Sequence, residues 1–234
     1  MAGRDWISFW NSRHSVYVNA RHLDAHYRRI ADDLLRYVPA GGAVLDYGCG
    51  EALAADRIAA AAGRLTLCDA APNVRAALKA RFADNATIEV SAPEDVAALP
   101  AGSLDLVVMH SVAQYLGIRE LDERLALFRT LLKPGGLLVL GDIIPPDVSP
   151  VTDAMALLRF GARHGFLLAA FTGLARTAFS NYARLRSTLG LSHYGERAMT
   201  EKLAGQGFSA ERARDNIGHN PARMTFLARP VVRA

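Results

Sequence analysis

Cysteine is nearly missing from this chain, and that excludes one whole class of folds. Cys49 and Cys68 are too few to frame a disulfide-stapled scaffold, so a reducing compartment is expected. Long apolar runs are missing as well. The longest, from Phe166 to Ala175, is about half of what a bilayer span requires. The opening Met-Ala-Gly-Arg-Asp-Trp lacks the uninterrupted apolar core of a secretory leader, which makes a cytoplasmic location the expectation. Lysine is scarce, and arginine supplies most of a net charge of +4 with a pI near 9.3. No dense basic block exists, so a nucleic-acid arm is not expected, although an anionic partner is permitted. No internal repeat or low-complexity tract occurs. What is present is a 51% hydrophobic fraction in 234 residues, enough for one domain with a real core and an elaborated lid.

Residues 1–40 mix aromatic and polar side chains, among them Trp6, Phe9, Trp10, Tyr17, His22, His26 and Tyr27. Leu23, Tyr27, Ile30, Leu34 and Tyr37 recur at helical spacing, which predicts an amphipathic helix over 20–38, ended by Pro39 and Gly41-Gly42. This segment is either a packing helix or a cap over a binding site. Strand and helix then alternate. Strands are predicted at 43–47, 64–68, 87–90, 104–109 and 137–140. Between them fall helices at 53–62, 73–83 and 119–132 and a short turn at 93–98, with Lys133-Pro134-Gly135-Gly136 as a stop. Strands buried on both faces and separated by helices mean a doubly wound, mostly parallel α/β sheet. After Pro145-Pro146 the rhythm breaks into a helical region over about 152–190, inside an insertion of about 148–192. A helix at 196–206 and strands at 208–215 and 224–232 complete a seven-stranded Rossmann-like sheet, the last two strands pairing in antiparallel fashion. The domain itself is expected to run from 41 to 234.

The chain is organised around Val44-Leu45-Asp46-Tyr47-Gly48-Cys49-Gly50. A strand runs into a Gly-x-Gly turn and then a helix, so that a ligand can approach the backbone closely. Asp69, at the end of the second strand, follows Gly50 by 19 positions, a spacing that suits a carboxylate on two ribose hydroxyls. Ser91-Ala92-Pro93-Glu94-Asp95, after the third strand, can meet an adenine edge. These are features of a nucleoside site, but the full dinucleotide fingerprint is not there. Asp46, an acid just ahead of the glycines, would repel a pyrophosphate and suit an ammonium or a sulfonium. That favours S-adenosylmethionine over a dinucleotide.

With these pieces in place the chain resembles a class I S-adenosylmethionine-dependent methyltransferase over roughly 43–143. The resemblance also rests on Leu99-Pro100 leading to Ser103-Leu104-Asp105-Leu106-Val107, on Leu132-Lys133-Pro134-Gly135-Gly136-Leu137-Leu138, and on the late Gly207-Phe208. It implies that Gly48, Cys49 and Gly50 wrap the methionyl part, with Asp46 near its amino group, and that Asp69 with Ala70 holds the ribose. It also puts Glu94 and Asp95 on the adenine side and His110 and Ser111 beside the methyl group. Ala52 stands where the usual motif has a third glycine. No metal is implied.

Single residues leave alternatives open. His110 is a wall residue whose backbone touches the cofactor, or a general base. Tyr17, Arg21 and His26 either close over the cofactor, with Arg21 on the methionyl carboxylate, or are surface residues. Gln114 and Tyr115 either orient a substrate or begin a helix, and His193 and Tyr194 are candidates to face the pocket from the far side. His164 and His219 receive no role, and Asp142 either caps a turn or faces the substrate. The insertion reads as a lid over an apolar small molecule, as a subunit contact in a homodimer, or as a peripheral membrane contact. The expected activity is direct methyl transfer to a small, lipophilic or aromatic metabolite. Nucleic acid is disfavoured as acceptor, because Met109-His110-Ser111-Val112 replaces the polar-Pro-Pro-aromatic motif and no Pro-Cys pair follows. A non-catalytic S-adenosylmethionine-binding protein is the remaining alternative.

Overall fold

Two-residue periodicity in the central strands sorts their side chains onto opposite faces of one sheet. In the computed structural model, which describes residues 2–12, 17–178 and 190–231, β1 (Ala43–Tyr47), β2 (Arg64–Cys68), β3 (Ile88–Ser91), β4 (Leu104–His110) and β5 (Leu132–Ile143) lie parallel. Val44, Leu106, Val108 and Val139 join the core on one face, while Leu45, Val107, Met109 and Leu138 join the core on the other. With β6 (Phe208–Arg212) and β7 (Met224–Pro230) the order is β3-β2-β1-β4-β5-β7-β6, and β7 is antiparallel to both its neighbours. This is the doubly wound seven-stranded sheet the sequence predicts.

Strand order reverses between β1 and β4, which opens a crevice at their carboxyl ends. α3 (Ala55–Ala61), α4 (Pro72–Arg81), α5 (Pro93–Ala97), α6 (Ile118–Leu131) and α9 (Glu196–Gly205) cover the sheet. Ahead of them come α1 (Ala2–Trp10) and α2 (Ala20–Leu34), and the insertion supplies α7 (Pro150–His164) and α8 (Leu167–Ala178).

Several expectations are corrected. The helix over 20–38 ends at Leu34 and continues only as a tight turn at Leu35–Tyr37. α1, not anticipated as a helix, buries Trp6 against Tyr115 with ring centroids 4.5 Å apart. β5 begins at Leu132, the last residue of the predicted helix, and runs through the expected stop. The β4–β5 register slips between Leu104 and Leu106 to absorb Lys133-Pro134-Gly135-Gly136. The strand expected to 215 ends at Arg212. The long helix of the insertion is broken where Gly165 takes a left-handed φ of +73°, and the part of that expectation at 179–189 lies outside the described residues.

α2, α7 and α8 share a small apolar core of Ala25, Phe160, Phe166 and Ala170, which packs the insertion against α2. Its outer side leaves Leu168 and Phe171 exposed. Among the described residues no helix is long and apolar enough to cross a membrane.

Candidate functional site

A single cavity of about 1070 Å³ runs along the carboxyl ends of β1, β2, β4 and β5. The glycine turn forms one end. Gly48 and Gly50 take positive φ of +78° and +58°, a backbone that glycine adopts without penalty. A Cβ on Gly48 would drive into Val112 Cγ2, and one on Gly50 would stand 2.6 Å from the Tyr27 hydroxyl. Ala52 follows at φ +43°, a left-handed position that costs an alanine about 1 kcal/mol. The backbone N–H groups of Gly48 and Cys49 both donate to the Cys68 carbonyl, at 2.7 and 3.1 Å, so the turn is anchored to β2.

Asp69 holds this turn. Its carboxylate accepts from Gly50 N at 3.0 Å and Ala71 N at 2.8 Å, and Arg75 donates to its carbonyl at 2.7 Å. Burial raises its pKa, and these N–H partners oppose the rise. Asp46 is different. It lines the cavity and accepts no hydrogen bond among the described residues; burial, and then the neighbouring Asp69 charge, push its carboxyl up to about 7. Two acids side by side with only one of them hydrogen-bonded make a place where a ligand cation is favoured. The residues present therefore fit a sulfonium nucleoside, with the glycine cradle for its backbone approach. Cys49 sits inside the turn, and burial, then Asp46 and Asp69, hold its thiol well above the usual range, so it is an inert spacer.

A second wall of the cavity begins at the end of β4. His110 Nε2 lies 3.1 Å from the Ile217 carbonyl and Nδ1 lies 3.1 Å from Ser111 Oγ, so both ring nitrogens are engaged. Ser111 donates to Asp142 at 2.7 Å. Ser111 and Asp142 both carry positive φ, +58° and +60°, the kind of strain that tends to collect at functional sites. The cavity is also lined by Tyr17, His22 and His26, from α2 and its lead-in, and by His219 and Asn220, from the loop before β7. Asp33, near the end of α2, accepts from Gly218 N at 3.0 Å and so ties that loop to the cap. Arg223 and Asp153 form a close ion pair at 2.7 Å at the same end.

Among the predicted site residues, Asp46, Gly48, Cys49, Gly50, Asp69, Ala70, His110, Ser111 and Tyr17 line this cavity together with Gln114 and Tyr115. Five do not. Glu94 and Asp95 are exposed, and Asp95 turns back to cap its own helix through Ala92 N at 2.9 Å; Pro93 faces the cavity instead. Arg21 donates to the Gly165 carbonyl at 2.9 Å, so it clamps the insertion rather than a carboxylate in the cavity. Ser192 N donates to the Gln114 carbonyl and Tyr194 N to the Ile144 carbonyl, both at 2.9 Å. That extended run alternates its side chains, sending Tyr194 into the core and His193 to solvent. Gln114 and Tyr115 line the cavity at its α1 end, beside Trp6 and Trp10.

Two contributors were not anticipated. Tyr27 OH accepts the Glu51 N–H at 2.8 Å and so joins the cap to the glycine turn. His219, given no role from sequence, lies in the cavity with Phe160 stacked on it at 4.7 Å. The spacing of His22, His26 and Tyr27 along one helix was the visible signal for the first; nothing local marks the second.

Residues 45–140 match the family model for a methyltransferase domain. A ubiquinone biosynthesis O-methyltransferase from Xanthomonas axonopodis pv. citri (strain 306) is 30% identical over 129 residues, which make up 53% of this chain and 51% of that protein. The chain spans about half the length of this curated relative. Among solved structures, the DhpI–SAH complex superposes with a TM-score of 0.64 at 16% identity, covering 99% of this chain and 98% of that one. The N-methyltransferase NodS from Bradyrhizobium japonicum WM9, in complex with S-adenosyl-L-homocysteine, gives a TM-score of 0.59 at 17% identity over 98% and 97% of the two chains. At those identities the likeness speaks for the fold.

Proposed function

We propose that this chain, whose residues 45–140 are a methyltransferase domain of the class I S-adenosylmethionine-dependent family, is an enzyme that methylates a small, lipophilic or aromatic acceptor. The observation that carries the reading is the continuity of the cavity. One end has the glycine turn and the two carboxylates, and the other is a chamber walled by aromatic and imidazole rings. When bound, S-adenosylmethionine supplies an electrophilic methyl group on a sulfonium.

The chain's own groups do the rest. Gly48 and Gly50 let the methionyl part approach the backbone, and Asp46 offers its ammonium a carboxylate. Asp69 keeps lone pairs for the ribose hydroxyls while it pins the turn. Ala70 and Pro93 wall the adenine side. The roof of α2, α7 and α8 excludes water and holds the acceptor near the wall at His110 and Ser111. Much of the rate in such a transfer comes from that positioning. The similarity to an enzyme named as an O-methyltransferase supports an oxygen acceptor.

Methyl-labelled S-adenosylmethionine, incubated with the protein and fractionated host extract, tests the reading. Label is expected in an organic-soluble metabolite. Label in RNA would overturn the small-molecule reading, and tight cofactor binding with no transfer at all would favour a non-catalytic binding protein.

A further inference from the structure

His110 is the histidine nearest to a general base by sequence position, yet both its ring nitrogens are already engaged. His26 and His219 are the reverse case. Both line the acceptor end of the cavity, and neither has a ring nitrogen in a hydrogen bond among the described residues. They come from unconnected segments, α2 and the loop before β7, and meet edge-to-face with ring centroids 6.1 Å apart.

Their rings are held in place. Phe160 stacks on His219 at 19° between planes, and Tyr17 packs on His26 at 5.3 Å. The loop carrying His219 is fixed by Gly218 N on Asp33, by Ile217 N on Thr225 Oγ1 at 3.0 Å and by Asn220 Nδ2 on Asp153 at 2.9 Å. Two fixed imidazoles set edge-to-face, with nitrogens that no described residue engages, suit a ligand group that both accepts and donates a hydrogen bond, which is what a hydroxyl does.

We propose that His26 and His219 bind the acceptor's hydroxyl between them, with His26 donating to the oxygen and His219 taking its proton. This rests on the methyltransferase reading and narrows it to an aromatic or enolic hydroxyl acceptor. The division of roles follows from the surrounding charges. Burial, with His110 and Arg223, lowers the pKa of His219 and keeps its imidazole neutral and able to accept a proton, while Asp142 and Asp153 favour the imidazolium it becomes. His26 is buried among His219, His110 and His22, all of which disfavour a charge on it, and its other near neighbours are the neutral phenols Tyr17 and Tyr27.

In the transfer the hydroxyl proton passes to the free nitrogen of His219, and the oxygen lone pair forms the new O–C bond. The C–S bond breaks with its electron pair on sulfur, leaving a neutral thioether. The imidazolium then loses its proton to solvent.

4-Nitrophenol tests the pair without any cofactor. Titrated with wild-type protein, it is expected to develop its visible phenolate band at a higher pH than free nitrophenol does, because the neutral His219 imidazole accepts the O–H and favours the phenol form. His219→Gln should abolish that shift, and His26→Gln should weaken binding roughly tenfold while leaving the shift in place. With a hydroxyl acceptor, His219→Gln should lower kcat by roughly 10²–10⁴-fold while the calorimetric affinity for S-adenosylhomocysteine is unchanged. An unshifted phenolate titration with folded wild-type protein overturns the proposal whether or not the variants fold. So does a His219→Gln variant within twofold of wild type in both readouts. Failure to bind S-adenosylhomocysteine would instead overturn the methyltransferase reading, and the nitrophenol titration would still judge the pair.

Discussion

The two ends of the cavity are built by different means. The glycine-turn end is local and made largely of backbone: Gly50 and Asp69 are 19 positions apart, and the turn hangs on the Cys68 carbonyl. The acceptor end is assembled at long range from side chains. Arg21 reaches Gly165 across 144 positions, His110 meets Ile217 across 107, and Gly218 meets Asp33 across 185. A local backbone site tolerates little change in its ligand. A site gathered from distant segments can be rebuilt by altering any one of them, which suits the proposed division between a shared cofactor at the first end and a particular acceptor at the second.

The largest expected difference between the ends is in acid stability. His22, buried beside His219, has its pKa lowered to about 4 from an unfolded value of 6.5. The unfolded chain therefore takes up a proton first as pH falls, and stability present above 6.5 is lost on the way to 4. The shift corresponds to about 3 kcal/mol. Urea unfolding of wild type and His22→Gln at several pH values measures it. Equal acid sensitivity of the two would show that His22 does not set this response.

Next comes Asp69→Ala. Removing both the ribose partner and the tie on the turn should weaken S-adenosylhomocysteine binding by roughly 100-fold, while 4-nitrophenol binding at the other end changes little. Comparable losses at both ends would break the comparison.

Asp46 gives a smaller, pH-dependent effect. Its carboxyl is pushed up to about 7 in the free protein, and a cation beside it lowers that value. Binding below about pH 7 should then release a proton, and affinity should rise with pH by up to about tenfold per unit before levelling near pH 7. Calorimetry in buffers of different ionisation enthalpy reads the release, and Asp46→Asn should abolish it.

The smallest effect links the ends. Tyr27→Phe leaves the Glu51 N–H without its acceptor and should cost about 1 kcal/mol in stability, with a modest loss of cofactor affinity. No change in thermal unfolding or in affinity would mean that the cap and the turn are not coupled.

The sheet from β1 to β5 was legible because each of its elements is written in consecutive residues: alternating or continuous apolar runs, proline and glycine stops, and a turn whose two glycines are required by φ. The acid at 46 and the acid at 69 were legible for the same reason. The later helices were legible in kind but not in extent, since only Gly165 shows where the insertion bends.

The amino-acid sequence thus determined the doubly wound sheet, the glycine turn and its preference for a cationic nucleoside, because those properties depend on neighbours along the chain. Tertiary structure alone decided that His110 is engaged on both nitrogens while no described residue hydrogen-bonds the rings of His26 and His219, that Arg21 meets the Gly165 carbonyl, and that Tyr194 is core. Those outcomes turn on which carbonyl or ring meets a side chain across a hundred or more positions, and no periodicity or spacing records such a meeting.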